Sequence, residues 1–400
     1  MHYFIFPKQD AYISEASPSD VILYRDELKK NYGSDEILEL KKDFIFPEST
    51  DAFTVSRFLI QFDYSVISQS IVDNDIPSNA KYHIKLYEVE GQSESNKEYT
   101  VSAYAVSQSW TEGGGKRYDW PAETEHGVSW INNQSGSSWD IAVSSLTFGG
   151  YFSEYDEANQ TFGQETSHGW VSSGSRDGQG GGSWIPSYKS SQSFNCESPD
   201  IYMDVTNTVN AHLNNSIPNY GFLFKFSGSY EGDSNRCNLK FFSRNTHTIY
   251  APRLEVKWDD HKPVTGSNTG SMSALNMTGE IENHIFIRGL KPKYTENEKV
   301  RFRIGCRKKY VQKTFTESVH DSNFYIPEGK GFYSIVDSAT DSTIVPFGNY
   351  SNLSCDSISP YFEQDLNTFE PGRYYKILFK LNYDDGQEVI IDNDDEFKVV

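Results

Sequence analysis

Apolar and polar residues alternate with a period of two along most of this chain. In KYHIKLYEV, Tyr82, Ile84 and Leu86 share one face and Lys81, His83 and Lys85 the other. YGFLFKF aligns Phe222, Phe224 and Phe226, and PRLEVKW sets Leu254, Val256 and Trp258 against Glu255 and Lys257. VRFRIGCR turns Val300, Phe302, Ile304 and Cys306 inward and Arg301, Arg303 and Arg307 outward. Each stretch predicts a half-buried strand of an antiparallel sheet. The segment EPGRYYKILFKLNYDDGQEVII predicts a turn, a strand, a hairpin at Asp385-Gly386 and a returning strand. One helix is predicted, in DVTNTVNAHLNN, with Thr206 as cap and Val205, Val209 and Leu213 recurring along one face.

The pattern breaks between residues 111 and 192. That stretch holds 14 of the 29 glycines and five of the seven tryptophans. Flexible linkers do not spend tryptophan, so this is an aromatic-pinned excursion from a sheet, with Trp130, Trp139, Trp170 and Trp184 expected to be buried. The linker proper is read at 261–284, rich in Gly, Ser, Thr and Asn and without apolar period. It separates a domain over 1–260 from a second β-domain over 285–400, whose length and pattern fit an immunoglobulin-like sandwich.

Composition sharpens this picture. Aromatics are 15% of the 400 residues, which favours strand over helix. The net charge of -20 is concentrated in residues 1–260, at -16, against -4 for 261–400. So acidic a surface repels phosphate backbones, and nucleic acid is excluded as a partner. No stretch reads as a signal peptide or a membrane span. The four cysteines (Cys196, Cys237, Cys306, Cys355) match no metal spacing. They read as reduced thiols, with one disulfide per domain as the alternative.

No metalloprotease helix, nucleophile elbow, phosphate loop or zinc spacing is present in the sequence. The acidic runs at Asp73–Asn79 and Asp392–Phe397 lack the glycine and terminal glutamate of a calcium loop and read as solvated turns. The stretch QSWTEGGGKRYDW reads first as a structural corner, with Trp110 plugging one end of the sandwich and glycines supplying turns. Its sharper reading places Tyr118 and Trp120 as sugar-stacking rings. Glu112 has no recognisable carboxylate partner for glycoside chemistry. Arg301, Arg303 and Arg307 read as a solvated strand face or as a docking stripe for an acidic neighbour.

A series of short motifs follows in order: QDAYISEASP, NYGSDEILEL, SRFLIQFDYSVI, IPSNAKYHIKLYEVE, VSQSWTEGGG, YMDVTNTVNAHLNN, NYGFLFKFSG and SRNTHTIYAPRLEVKW. The series resembles the DNRLRE (disaggregatase-related) domain over roughly residues 9–260, with extra length between Trp110 and Asp200. The resemblance implies an all-β chain: a carbohydrate-binding-module-like jelly-roll sandwich plus a C-terminal immunoglobulin-like β-sandwich. It implies no cofactor. Jelly-roll modules often hold a structural calcium, for which Asp10 is the indicated position. The pairing of such domains implies a non-enzymatic structural protein of a tailed-phage virion, in the tail, neck or head decoration, assembled in the bacterial host cytoplasm. Its partners would be other virion proteins, its own copies and cell-surface glycan, with no membrane. The alternatives are a secreted bacterial carbohydrate-binding or adhesion module and, behind it, a polysaccharide lyase or hydrolase.

Overall fold

A computed structural model describes residues 1–15, 29–44, 53–90, 98–139, 149–150, 155–156, 161–162, 183–194, 200–227, 237–278, 283–310 and 324–400. The protein is all-β, with several antiparallel sheets and two short α-helices among the described residues. It divides into two compact units: a larger one of Ile5–Ile76 and Lys81–Glu255, and a smaller one of Met1–Phe4, Pro77–Ala80 and Val256–Val400.

The larger unit is built from β1 (Pro7–Glu15), β2 (Ile37–Phe44), β3 (Phe53–Phe62), β4 (Lys81–Leu86), β5 (Tyr99–Val106), β6 (Ser183–Phe194), β7 (Ile201–Asp204), β8 (Phe222–Phe226), β9 (Cys237–Phe242) and the start of β10 (Arg253–Lys257). The main sheet runs β9-β2-β3-β8-β5-β6, with β1 also paired to β3. A second sheet sets β4 between β10 and β7. The sandwich is closed along both sides. Val89 and Phe242 amides donate across to Lys240 and Tyr87 carbonyls on one side. Gln192 bonds the Asp200 carbonyl and the Tyr202 amide on the other.

As the alternation predicts, Tyr82, Ile84 and Leu86 are buried. In β8 the outcome differs, because all five residues are buried rather than every second one. The reason is the excursion. Trp110, Trp130, Trp139 and Trp184 pack with Val55, Leu59 and Leu223 in a second core on the other face of the main sheet. Two buried cations complete it: the Arg57 guanidinium lies over the rings of Trp130 (4.9 Å) and Trp184 (5.5 Å), and the Lys225 ammonium over Trp184 (5.3 Å). Trp170 lies outside the described residues.

Of the helices, α1 (Ser65–Val72) has no counterpart in the sequence reading, while α2 (Thr206–Leu213) is the predicted one. Thr206 does not cap α2. Its hydroxyl accepts the Tyr82 amide, and Asp204 accepts the Thr206 amide.

The smaller unit comprises β11 (Asn283–Arg288), β12 (Lys299–Lys308), β13 (Gly331–Asp337), β14 (Thr343–Val345), β15 (Ser354–Cys355), β16 (Pro360–Asp365), β17 (Tyr374–Asn382) and β18 (Glu388–Val399). One sheet runs β11-β12-β16-β15. The other runs from the two-residue strand Lys293–Tyr294 through β18, β17 and β13 to β14. Between them Phe302 stacks on Phe362 (5.0 Å) and Phe362 on Tyr333 (4.0 Å), with Phe397 against Phe302 (5.5 Å). The stretch 261–284, read as linker, supplies Leu275 and Met277 to this core. Residues 1–4 join it too, since Gln364 and Thr368 side chains donate to the His2 carbonyl. Cys306 and Cys355 are buried free thiols in this unit, and Cys237 is free in the other. Cys196 lies outside the described residues.

A register shift between Ile377 and Leu378 opposes Asp395 and Asp392, with Asp394 at φ +57°. This bulge sends Asn393 Nδ2 to the Ile285 carbonyl (2.6 Å), and the Asp395 carboxylate accepts the Ile287 amide. Both targets lie on β11, an outermost strand.

Candidate functional site

The glycine corner after β5 is organised by Asn31, whose exposure is 0%. Its Nδ2 donates to the carbonyls of Glu112 (2.7 Å) and Val128 (2.8 Å). Its Oδ1 accepts the amides of Gly33 (3.1 Å) and Gly115 (2.8 Å), and its own amide donates to Glu123 O (2.8 Å). A single side chain thus spends its full hydrogen-bonding capacity on three loop segments. Gly127 sits at φ +90°, and a Cβ there would lie 2.5 Å from Asn31 Nδ2. Trp110 is buried beside the corner, its Nε1 donating to Tyr220 O (2.8 Å).

From this base a turn projects over residues 116–120. Lys116 N donates to Asp119 Oδ2 (2.8 Å), and the Arg117 amide to the Asp35 carboxylate (3.0 Å). Lys30 Nζ holds the Arg117 carbonyl (2.6 Å), and Arg117 Nη1 reaches Glu39 (3.2 Å). On this pinned turn Tyr118 is 90% exposed and Trp120 96%. Two large rings held in water on an anchored loop form a ready apolar contact, because the ordering entropy of the backbone is already spent in the free protein.

Glu112 does have a carboxylate neighbour, which the sequence did not reveal. The Asp10 amide donates to Glu112 Oε1 (3.0 Å), and Arg244 Nη1 stands 3.5 Å from Glu112 Oε2. Asp10 Oδ2 accepts the Arg244 amide (2.7 Å), while Oδ1 is buried without a partner among the described residues. Burial pushes the Asp10 carboxyl up to about 8, with Glu112 adding to the rise and the Arg244 amide and guanidinium opposing it. Burial raises Glu112 as well. At 1% exposure Asp10 cannot meet a polysaccharide, so the pair ties β1 to the corner and to residue 244. For the structural calcium that the resemblance allows at Asp10, few ligands are at hand. The cation beside Glu112 is already Arg244, and among the described residues no three His, Cys, Asp or Glu side chains gather to hold a metal.

No family model, no curated protein and no solved structure matches the chain.

The arginine stripe on β12 divides in two. Arg301 Nε bonds Glu363 Oε1 (2.8 Å) from the paired position of β16, over the ring of Tyr361 (4.4 Å). Arg303 grips Asp356 with both terminal nitrogens (3.0 and 2.9 Å). Burial works against the charge on Asp356, but the Arg303 guanidinium and the amides of Ile358 and Ser359 hold its carboxyl down at about 2. Arg307 is exposed and makes no ion pair among the described residues. Of the acidic runs, Asp73 accepts Gln69 Nε2 (3.0 Å) at the end of α1, and Asp392 and Asp394 pair with Lys376 (2.7 and 2.9 Å).

Proposed function

We propose that the chain is a non-enzymatic structural protein of a tailed-phage virion whose larger, jelly-roll-like unit presents Tyr118 and Trp120 to a glycan of the host surface. The exposure of those two rings on an anchored turn carries this reading. Aromatic faces of this kind stack on the apolar faces of sugar rings, and a pinned loop keeps them in register between encounters. The acidic surface agrees with partners other than nucleic acid. The ordered motif series through the larger unit and the two-unit all-β build support placement among decoration, neck or tail components. A secreted bacterial carbohydrate-binding module would use the same tip, so the test has two arms.

The intact chain is titrated with host-surface polysaccharide while tryptophan emission is followed, and purified particles are analysed by mass spectrometry. Binding is expected, with a loss of about tenfold or more, ~1.4 kcal/mol, on Trp120→Ala. The chain is expected among the particle proteins. Unchanged affinity in a Tyr118→Ala/Trp120→Ala variant sinks the tip assignment, and absence from particles sinks the virion assignment.

A further inference from the structure

We infer that a cleft in the smaller unit, lined by Arg373, Tyr374, Glu396 and Ser338, is a binding site for a neutral hexopyranose unit of a glycan. The cleft has a volume of about 430 Å³, within the ordinary range for small-molecule sites. It is separate from the Tyr118/Trp120 turn, which belongs to the other unit.

The base of the cleft is prepared in an uncommon way for a surface. Asp337 is buried. Its Oδ1 accepts the amides of Ala339 and Thr340 and the Thr340 hydroxyl, each at 3.0 Å. Its Oδ2 accepts Arg373 Nε at 2.6 Å. Every acceptor of this carboxylate is therefore spent on holding the turn and fixing one edge of the guanidinium. The two terminal nitrogens of Arg373 make no hydrogen bond among the described residues. Glu396 is exposed, with Oε1 accepting the Ser338 hydroxyl and Oε2 unbonded among the described residues. Tyr374 is 52% exposed, with the Lys398 ammonium 5.3 Å from its ring.

These parts select a ligand. The held Arg373 guanidinium donates and the Glu396 carboxylate accepts, which suits hydroxyl groups that each do both. An exposed phenol ring beside them takes the C–H face of a pyranose. The charges favour neither ion: Asp337 and Glu396 are offset by Arg373 and by the Lys398 ammonium beside Tyr374, so the cleft carries no net charge to draw an anion or a cation. A neutral polyhydroxylated ring with one apolar face satisfies all three groups. Restraining a half-buried arginine costs rotamer freedom, and pre-placing its unused donors is what lowers the cost of binding.

The test is saturation-transfer NMR on the full chain with the methyl α-pyranosides of glucose, galactose and mannose at millimolar concentration. Transfer to at least one of them is expected. It should weaken fivefold or more in Tyr374→Ala and in Glu396→Gln, the latter conserving shape and the bond from Ser338. The Tyr118→Ala/Trp120→Ala variant should keep it, so loss of the tip reading leaves this result standing. Transfer from none of the three sugars, transfer untouched by both cleft substitutions, or transfer lost only in the tip variant overturns the inference.

Discussion

Asp10→Asn should make the protein more stable at neutral pH, although Asp10 is buried and accepts a hydrogen bond from the Arg244 amide. The carboxyl titrates near 8 in the folded protein against an ordinary 3.8. Its folded value lies above its unfolded one. The favourable contribution of the protonated form is thus complete below pH 3.8 and is lost as the pH rises to about 8. Four pH units at ~1.4 kcal/mol each put the ceiling near 6 kcal/mol. The amide variant keeps an oxygen for the Arg244 amide and carries no charge. Denaturant unfolding should be compared between pH 6.5 and 8. That window avoids His212, which is buried without a hydrogen-bond partner for either ring nitrogen among the described residues and is lowered by burial to about 4, so that its own loss of stability occurs as the pH falls from 6.5. Across the window the gap between variant and parent should widen by about 2 kcal/mol, or roughly 4–8 °C in melting temperature for a unit of this size. Parallel stability curves for the two proteins would refute the reasoning, as would a variant less stable than the parent at pH 8.

Gly127→Ala should cost ~2–4 kcal/mol in thermal unfolding, from a positive φ combined with a clash against Asn31. Gly114→Ala, where a Cβ meets nothing within 4 Å, should stay within ~0.5 kcal/mol. Arg303→Ala should cost ~1–2 kcal/mol above pH 4 and remove stability that the parent loses only as the pH falls from 3.8 towards 2, whereas Arg307→Ala should stay within ~0.5 kcal/mol in the same unfolding assay.

The sequence was most legible where a residue's surroundings are set by its own strand. The inward and outward sets of β4 and β12 and the Asp385-Gly386 hairpin follow from period and turn chemistry alone. β8 did not, because its second face is covered by tryptophans from elsewhere in the chain. The same distance in sequence hid the fate of the stripe: Asp356 and Glu363 lie more than fifty residues from the arginines they neutralise. Glu112 appeared solitary because Asp10 approaches it through its amide, and no spacing rule encodes that. Thr206 had the right chemistry for a cap, but the amide of Tyr82 claimed its hydroxyl. Asn31 stood in a plain NYG triplet, and only the carbonyls and amides converging on it disclose why an amide side chain is required there.

The bulge in β18 has a consequence for crowding. A β-sheet grows wherever an outer strand offers unpaired main-chain groups, and proteins held at high local density are the ones most exposed to that hazard. On β11 the Ile285 carbonyl and the Ile287 amide are already occupied by side chains of Asn393 and Asp395. The outer strands at the remaining ends, Ser354–Cys355, Thr343–Val345 and Lys293–Tyr294, are two or three residues long. At the β11 edge, pairing with the backbone of a second copy is thereby obstructed, and contact through that edge is left to side chains, where it can be selective.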